Sequence, residues 1–442
     1  MYAKIIITIF ILIILMDMGK RLCYRELTSP QVLSAFSFIP SLIFLIFYAN
    51  KWEADLNELT ITLIILNPFV FFVFAFVSKF FYVKKVIKKR CVNRIDNIHS
   101  ANVLFMTFIE IISLFLLLRY AISFVGSFSN LSALLMSYRY KSDYVQQADL
   151  PAVTSLFRLV TVYSGYLWGY LICINIIEKK QKNSKLYIIN FLLSIVASLC
   201  SGARGTSVML LISFLIQYLL LSSRKTKLEE KNSEFIAQNK KKIFVLFAGL
   251  LILATQFDKF ANLLGRDTSD FTGMYYLAVY LSAPIKNLDS FLIEGCNGFV
   301  KNIWDTHTLS QLAGYIGPKY FNKYPESFIY PFKEVNGVNL GNVATAYANM
   351  YYDGGLIFFV LFSAIMAFFC IIVYRKSMES YSNYVKEINV YIIAYSIMAF
   401  GVLFNFFANE FYNSVANIDF IRGVIVIIAI KFFLERVKIY KR

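Results

Sequence analysis

Four arginines stand in places where a fixed positive charge implies a ligand. Arg204 lies in SLCSGARGTSVML (199–211), a Ser/Gly-rich break between two apolar runs. Arg119, Arg158 and Arg422 lie inside other apolar runs. A charge within a hydrocarbon span is costly and normally faces protein or ligand instead of lipid. Arginine suits phosphate because its planar fork of donors stays charged at any working pH. Gly202 and Gly205 let the backbone approach a ligand. A helix capped by Thr206 or Ser207 would aim its N-terminus at the same point. The chemistry is therefore anion binding, with phosphate the first candidate. Plainer readings exist for each residue. Arg119 can snorkel to the lipid surface, Asp419 can pair with Arg422 at i,i+3, and the Arg204 segment can be a tight helix–helix turn.

A proton acceptor is the second requirement of group transfer. His307, in NIWDTHTLS beside Asp305, titrates near neutral pH and suits the role. Glu294 and Asp353 are carboxylate alternatives. Arg266, in LLGRDTSD, is a further cation in the same long segment.

These residues need elements to hold them, and the composition says which. The chain has 442 residues, 58% hydrophobic and only 16% charged, where a soluble domain carries ~25% charged residues. Apolar runs long enough to cross a ~30 Å core recur throughout. Backbone groups in lipid must bond within their own segment, so the runs are helices. The expected fold is an all-α polytopic membrane protein of about 11 transmembrane helices. They fall near 4–18, 31–49, 59–78, 101–125, 152–177, 186–200, 206–222, 243–260, 349–373, 388–408 and 413–434. The first is read as a retained span, because Asp17, Lys20 and Arg21 follow it where a cleavage site would need small residues.

Lys and Arg crowd alternate loops, above all KKVIKKR (84–90) and RKTKLEEKNSEFIAQNKKK (224–242). By the positive-inside rule these loops face the cytosol, with the N-terminus outside and the C-terminus inside. The net charge of +17 is thus a topology signal and not a nucleic-acid groove. The organisation is 1–260, eight spans; 261–345, a large outer loop folded as a small helical cap; and 346–442, three spans. A loop of that length is usually functional. All four arginines fall in the outer half or near the middle of the membrane. Cys23 and Cys91 fall in inner loops, Cys173, Cys200 and Cys370 in or beside spans, and Cys296 in the outer loop. That scatter makes no disulfide framework and no zinc cluster.

Three stretches carry a family resemblance. SGARGTSVMLL (201–211) resembles the Ser/Gly-Arg-Gly segment of Wzy-type oligosaccharide repeat-unit polymerases. NVATAYANMYYDGGLIFFVLF (342–362) is similar to the family's Asn…Thr…Tyr…Asp-aromatic-Gly segment, and YLSAPIKNLDSF (280–291) to its Tyr-x-x-x-Pro segment. Gly354 stands where the family often has an aromatic, and Phe358 where a second glycine often lies. The resemblance implies a metal-independent, cofactor-free glycosyltransferase in the bacterial inner membrane. Its substrate would be an undecaprenyl-pyrophosphate-linked oligosaccharide of O-antigen or capsule type, its setting the lipid bilayer, and its partner a chain-length regulator protein. It implies a catalytic role for Arg204, which matches the family motif; the residues themselves offer His307 as base, with Glu294 and Asp353 as alternatives. By their depth and outer-face placement Arg422 and Arg158, then Arg266 and Arg119, would join Arg204 in holding the pyrophosphate. A flippase for the same lipid, or a ligase-like glycan transferase, is the alternative. A flippase should show charge through both membrane halves and two related halves.

Overall fold

The computed structural model describes residues 1–22, 26–81, 94–127, 129, 131–141, 150–200, 204–228, 273–294, 302–324, 330–379 and 386–437. The chain is mostly helical. Seven helices among the described residues are long and apolar enough to cross a membrane. They include α1 (Tyr2–Leu22), α2 (Pro30–Tyr48), α3 (Glu58–Phe81), α4 (Ser100–Val125) and, after the short α5 (Leu131–Tyr140), α6 (Ala152–Glu178). Then come the shorter α7 (Ser184–Cys200), α8 (Arg204–Leu228), α9 (Gly273–Ile293), α10 (Ser310–Ile316) and α11 (Ala346–Tyr352). The last are α12 (Gly355–Glu379), α13 (Val390–Leu403), α14 (Glu410–Ser414) and α15 (Ile418–Arg436). The expected span at 243–260 lies outside the described residues.

Three expectations change. The span expected at 349–373 is two helices, α11 and α12, broken at Asp353 and Gly354. The last expected span starts later, at Ile418, after a break that follows α14. The cap is not helical throughout. Strands β1 (Lys333–Val335) and β2 (Val338–Gly341) pair antiparallel, with Val335 opposite Val338. Asn336 and Gly337 form the two-residue turn, both at positive φ (50° and 72°), the conformation that an Asn-Gly hairpin turn requires.

The chain divides into two compact units, and both are assembled from separate stretches. The first holds Met1–Lys85, Tyr275–Glu379 and Ile397–Phe420. Its helices α1, α2, α3 and α12 pack together. A polar chain pins three of them in the interior. Ser34 Oγ donates to Asn67 Oδ1 (3.1 Å), and Asn67 Nδ2 donates to Ser363 Oγ (2.9 Å). At one end, Lys4 Nζ donates to Leu56 O, and the α3 start is held by Asp289 of α9. The Asp289 carboxylate accepts from Asn57 N and Thr60 Oγ1, both at 2.7 Å. Asn287 Nδ2 reaches the hairpin and its exit, at Leu340 O, Gly341 O and Val343 O. At the other end Tyr374 Oη donates to Glu26 Oε2 (2.6 Å). The starts of α1, α3 and α12 thus share an end with the hairpin and α9, as strict alternation of the spans demands.

The second unit holds Val86–Met274, Ser380–Ser396 and Ile421–Arg442. Its α4, α6, α7 and α8 pack closely. A Cβ built at Gly165 of α6 would lie 2.7 Å from Ser194 Cβ and 2.9 Å from Leu210 Cδ2. Helices therefore touch here through a missing side chain, as small residues allow in membranes. Gly165→Ala is expected to destabilise the chain by about 1–3 kcal/mol, read as a lowered midpoint of thermal unfolding in detergent.

One end of this unit is rich in lysine. Lys180 pairs with Asp96 (2.6 Å), Lys225 with Glu178 (3.2 Å) and Lys431 with Glu387 (2.7 Å). Asn102 Nδ2 donates to Phe433 O and Val437 O, and Ser100 Oγ to Asn183 Oδ1. The start of α4, the α6–α7 turn, the C-terminal part of α8 and the end of α15 are thereby gathered at one level.

Candidate functional site

In the first unit the structure builds a polar turn around His307. Residues 306–308 carry no regular structure, and three side chains from elsewhere in the chain hold them. Asp353, buried at the α11–α12 break, accepts from Thr306 Oγ1 (2.6 Å) and Thr308 N (3.0 Å) on Oδ2, and from His307 N (2.8 Å) on Oδ1. Asn409 Nδ2 donates to Thr308 O (2.8 Å) and His307 O (3.4 Å). Asn349 Nδ2 donates to His307 O (3.3 Å), while its Oδ1 accepts from Tyr330 Oη (2.7 Å).

The imidazole lies flat on Tyr352, with centroids 4.0 Å apart and planes at 7°. Tyr330 meets it edge-on at 6.5 Å, and Phe291 contacts both tyrosine rings. Asp353 and His307, named separately from the sequence, are therefore brought together. Asp353 does so through the backbone of the turn, which makes it a positioning residue for His307. Glu294 is engaged elsewhere, in an ion pair with Lys333 of β1 (2.5 Å).

Burial pushes the His307 pKa below its ordinary 6.5, and the charges of Asp353 and Asp305 push it back up. The ring is thus neutral at neutral pH, the form a general base needs. The linkage has a definite sign. The unfolded chain takes up this proton at about pH 6.5, before the folded chain does. Stability from this group is full above that pH and is lost as the pH falls toward the depressed folded value. The thermal midpoint of the unaltered chain is expected to fall more steeply on acidification than that of His307→Gln. Parallel curves would show that the ring is not desolvated.

The arginines belong to the second unit. Measured from the lysine-rich end, Arg119 lies roughly 28 Å along α4 from Ser100, and Arg158 roughly 30 Å along α6 from Glu178. Arg204 opens α8, roughly 31 Å before Lys225, and Arg422 precedes Glu435 of α15 by roughly 20 Å. All four are in the far half of the unit. Arg158 is half-buried. Arg119 and Arg422 are exposed on the protein surface. Arg422 adjoins Gly423, whose missing side chain admits the Tyr163 ring: a Cβ there would fall 2.0 Å from Tyr163 Cε1.

The backbone of Arg204 is the first turn of α8, two residues earlier than the expected cap. Ser207 is consequently inside the helix and shares a hydrogen bond with Ser198 Oγ (2.6 Å), closing the α7–α8 turn. A Cβ at Gly205 would meet nothing within 4 Å among the described residues. Arg266 and Gly202 lie outside the described residues.

Sequence reasoning missed Asn349, Asn409, Tyr330 and Tyr352. Each is an unremarked polar or aromatic residue in an apolar stretch, and only packing assigns it to His307. The hairpin had a signal, Asn-Gly between KEV and VNL.

The fold defines a class, a mostly helical polytopic membrane protein. No family model, curated protein or solved structure matches the chain.

Proposed function

We propose that the chain is a polymerase of lipid-linked oligosaccharide repeat units in a bacterial inner membrane, acting on its outer face. The observation that supports this most is the placement of Arg119, Arg158, Arg204 and Arg422 in the half of the second unit away from its lysine-rich end. By the positive-inside rule that half is extracytoplasmic, where a diphosphate-linked glycan donor would be met.

In this reaction the acceptor sugar hydroxyl attacks the anomeric carbon of the growing glycan. The new C–O bond forms as the bond to the pyrophosphate oxygen breaks. The hydroxyl proton goes to a base, and undecaprenyl pyrophosphate leaves. Guanidinium groups stabilise the negative charge that develops on the leaving group. His307, neutral and desolvated, is the base of this reading, and Asp353, Asn349 and Asn409 orient it. Tyr352 and Tyr330 pack around the imidazole, with Phe291 against both, and hold it in place. Arg266 remains a pyrophosphate ligand in the proposal, as does a chain-length regulator as partner.

The test is a deletion strain examined for its surface glycan. Loss of this gene is expected to leave glycan capped at one repeat unit, restored to long chains by the unaltered gene. Complete absence of surface glycan would point instead to export or ligation of the same lipid.

A further inference from the structure

Glu110 lies near the middle of α4, roughly 15 Å along from Ser100, and is fully buried. Its Oε1 accepts from Ser164 Oγ (2.6 Å) and from the indole N–H of Trp168 (2.7 Å), both on α6. Its Oε2 is buried and has no hydrogen-bond partner among the described residues. Two buried oxygens close by along the two helices share that condition, Ser113 Oγ and Thr161 Oγ1. Ser113 is one turn beyond Glu110 on α4, and Thr161 is one turn beyond Ser164 on α6. The two helices run antiparallel, so both hydroxyls follow the carboxylate along the same seam.

A buried carboxylate needs a compensating positive charge. Among the described residues no Lys, Arg or His forms an ion pair with Glu110. The titratable groups facing it are few. Tyr187 of α7 stacks on Trp168 at 5.7 Å. Arg158 lies roughly 9 Å farther along α6 than Ser164, and Arg119 roughly 14 Å farther along α4 than Glu110. The other contribution from α7 is neutral: Asn190 Oδ1 accepts from Thr107 Oγ1 (2.7 Å).

We propose that Glu110, Ser113 and Thr161 form an intramembrane site for a small monovalent cation, a proton or a sodium ion, taken up from solution. The three orphan oxygens are the donor set. All are hard oxygen ligands, and the single carboxylate charge matches a single positive charge. The site stands whether or not the chain polymerises glycans.

Trp168 reports on it directly, because its N–H is bonded to the carboxylate. The purified chain in detergent is titrated with sodium chloride at fixed pH against a choline chloride control. It is then titrated with acid in sodium-free buffer, following tryptophan fluorescence in both cases. The same is done with Glu110→Gln, which keeps an acceptor for Ser164 and Trp168, and subtraction removes the signal of Trp52 and Trp304. A saturable change with sodium alone identifies a sodium site, and one with acid alone a proton site; either must vanish in Glu110→Gln. If that variant does not fold, Ser113→Ala combined with Thr161→Ala keeps the carboxylate and is expected to shift the midpoint about tenfold. No saturable change with either cation in the folded chain overturns the proposal, as does a change that persists in Glu110→Gln.

Discussion

Arg204→Ala is expected, on the proposed polymerase function, to cap the glycan at one repeat unit while the protein stays at its normal level. Arg204 opens α8, where backbone N–H groups point out of the first turn and the helix dipole favours an anion. Among the described residues nothing lies within 4 Å of a Cβ built at Gly205. A pre-aimed donor that acts on developing charge contributes roughly 3–4 kcal/mol, or about 10²–10³ in rate. Arg204→Lys keeps the charge but loses the planar fork, and is expected to fall most of the way to the alanine level. The measurement is chain-length distribution on a gel, alongside an immunoblot for the protein. Long chains made by both variants at normal protein levels would remove Arg204 from the chemistry. Arg158→Ala and Arg422→Ala are expected to weaken synthesis less, since neither residue sits at a helix start.

Asp353→Ala is expected, with His307 as the proposed base, to be nearly as damaging as loss of His307 itself, through a different cause. One buried carboxylate satisfies the Thr306 hydroxyl and the backbone N–H groups of His307 and Thr308. Removing it leaves these donors facing a void. Hydrogen bonds to a charged group contribute about 1.5–3 kcal/mol each, and a buried donor left unmade costs about 1–3 kcal/mol. A local loss on the order of 3 kcal/mol or more follows, enough to release the turn and break the flat stack of His307 on Tyr352. Limited trypsin digestion is expected to cut faster after the exposed Lys319, just beyond the turn. His307→Ala combined with Asp353→Ala should be no worse in glycan synthesis than either change alone, because both remove the same oriented ring. Additive losses in the double variant, with unchanged proteolysis, would show that Asp353 acts independently of His307.

The two residues illustrate different kinds of legibility. Arg204 was visible because an arginine between glycines in an apolar chain is costly and needs a reason. Asp353 was visible as a carboxylate near a span, but its task was not. Its partners are about 45 positions away in the chain, and no periodicity connects a helix break with a distant turn. Glu110 was overlooked for a related reason. One acid in a long apolar run reads as an isolated blemish until Ser164 and Trp168 are seen against it.

By itself the sequence determined the membrane class, where most apolar helices lie, and the alternation of lysine-rich ends. It expected 152–177, and the helix is Ala152–Glu178; it expected 101–125, and the helix is Ser100–Val125. Those properties are local sums, since each segment meets the hydrocarbon with its own side chains and must bond its own backbone. Tertiary structure alone decided the breaks at Asp353 and before Ile418, the attachment of the hairpin to α9, the clasp of Asp353, Asn349 and Asn409 on the His307 turn, and the orphan oxygens around Glu110. Those features depend on which polar atoms remain unmet once the helices have packed, and that is settled only when residues far apart in the chain come into contact.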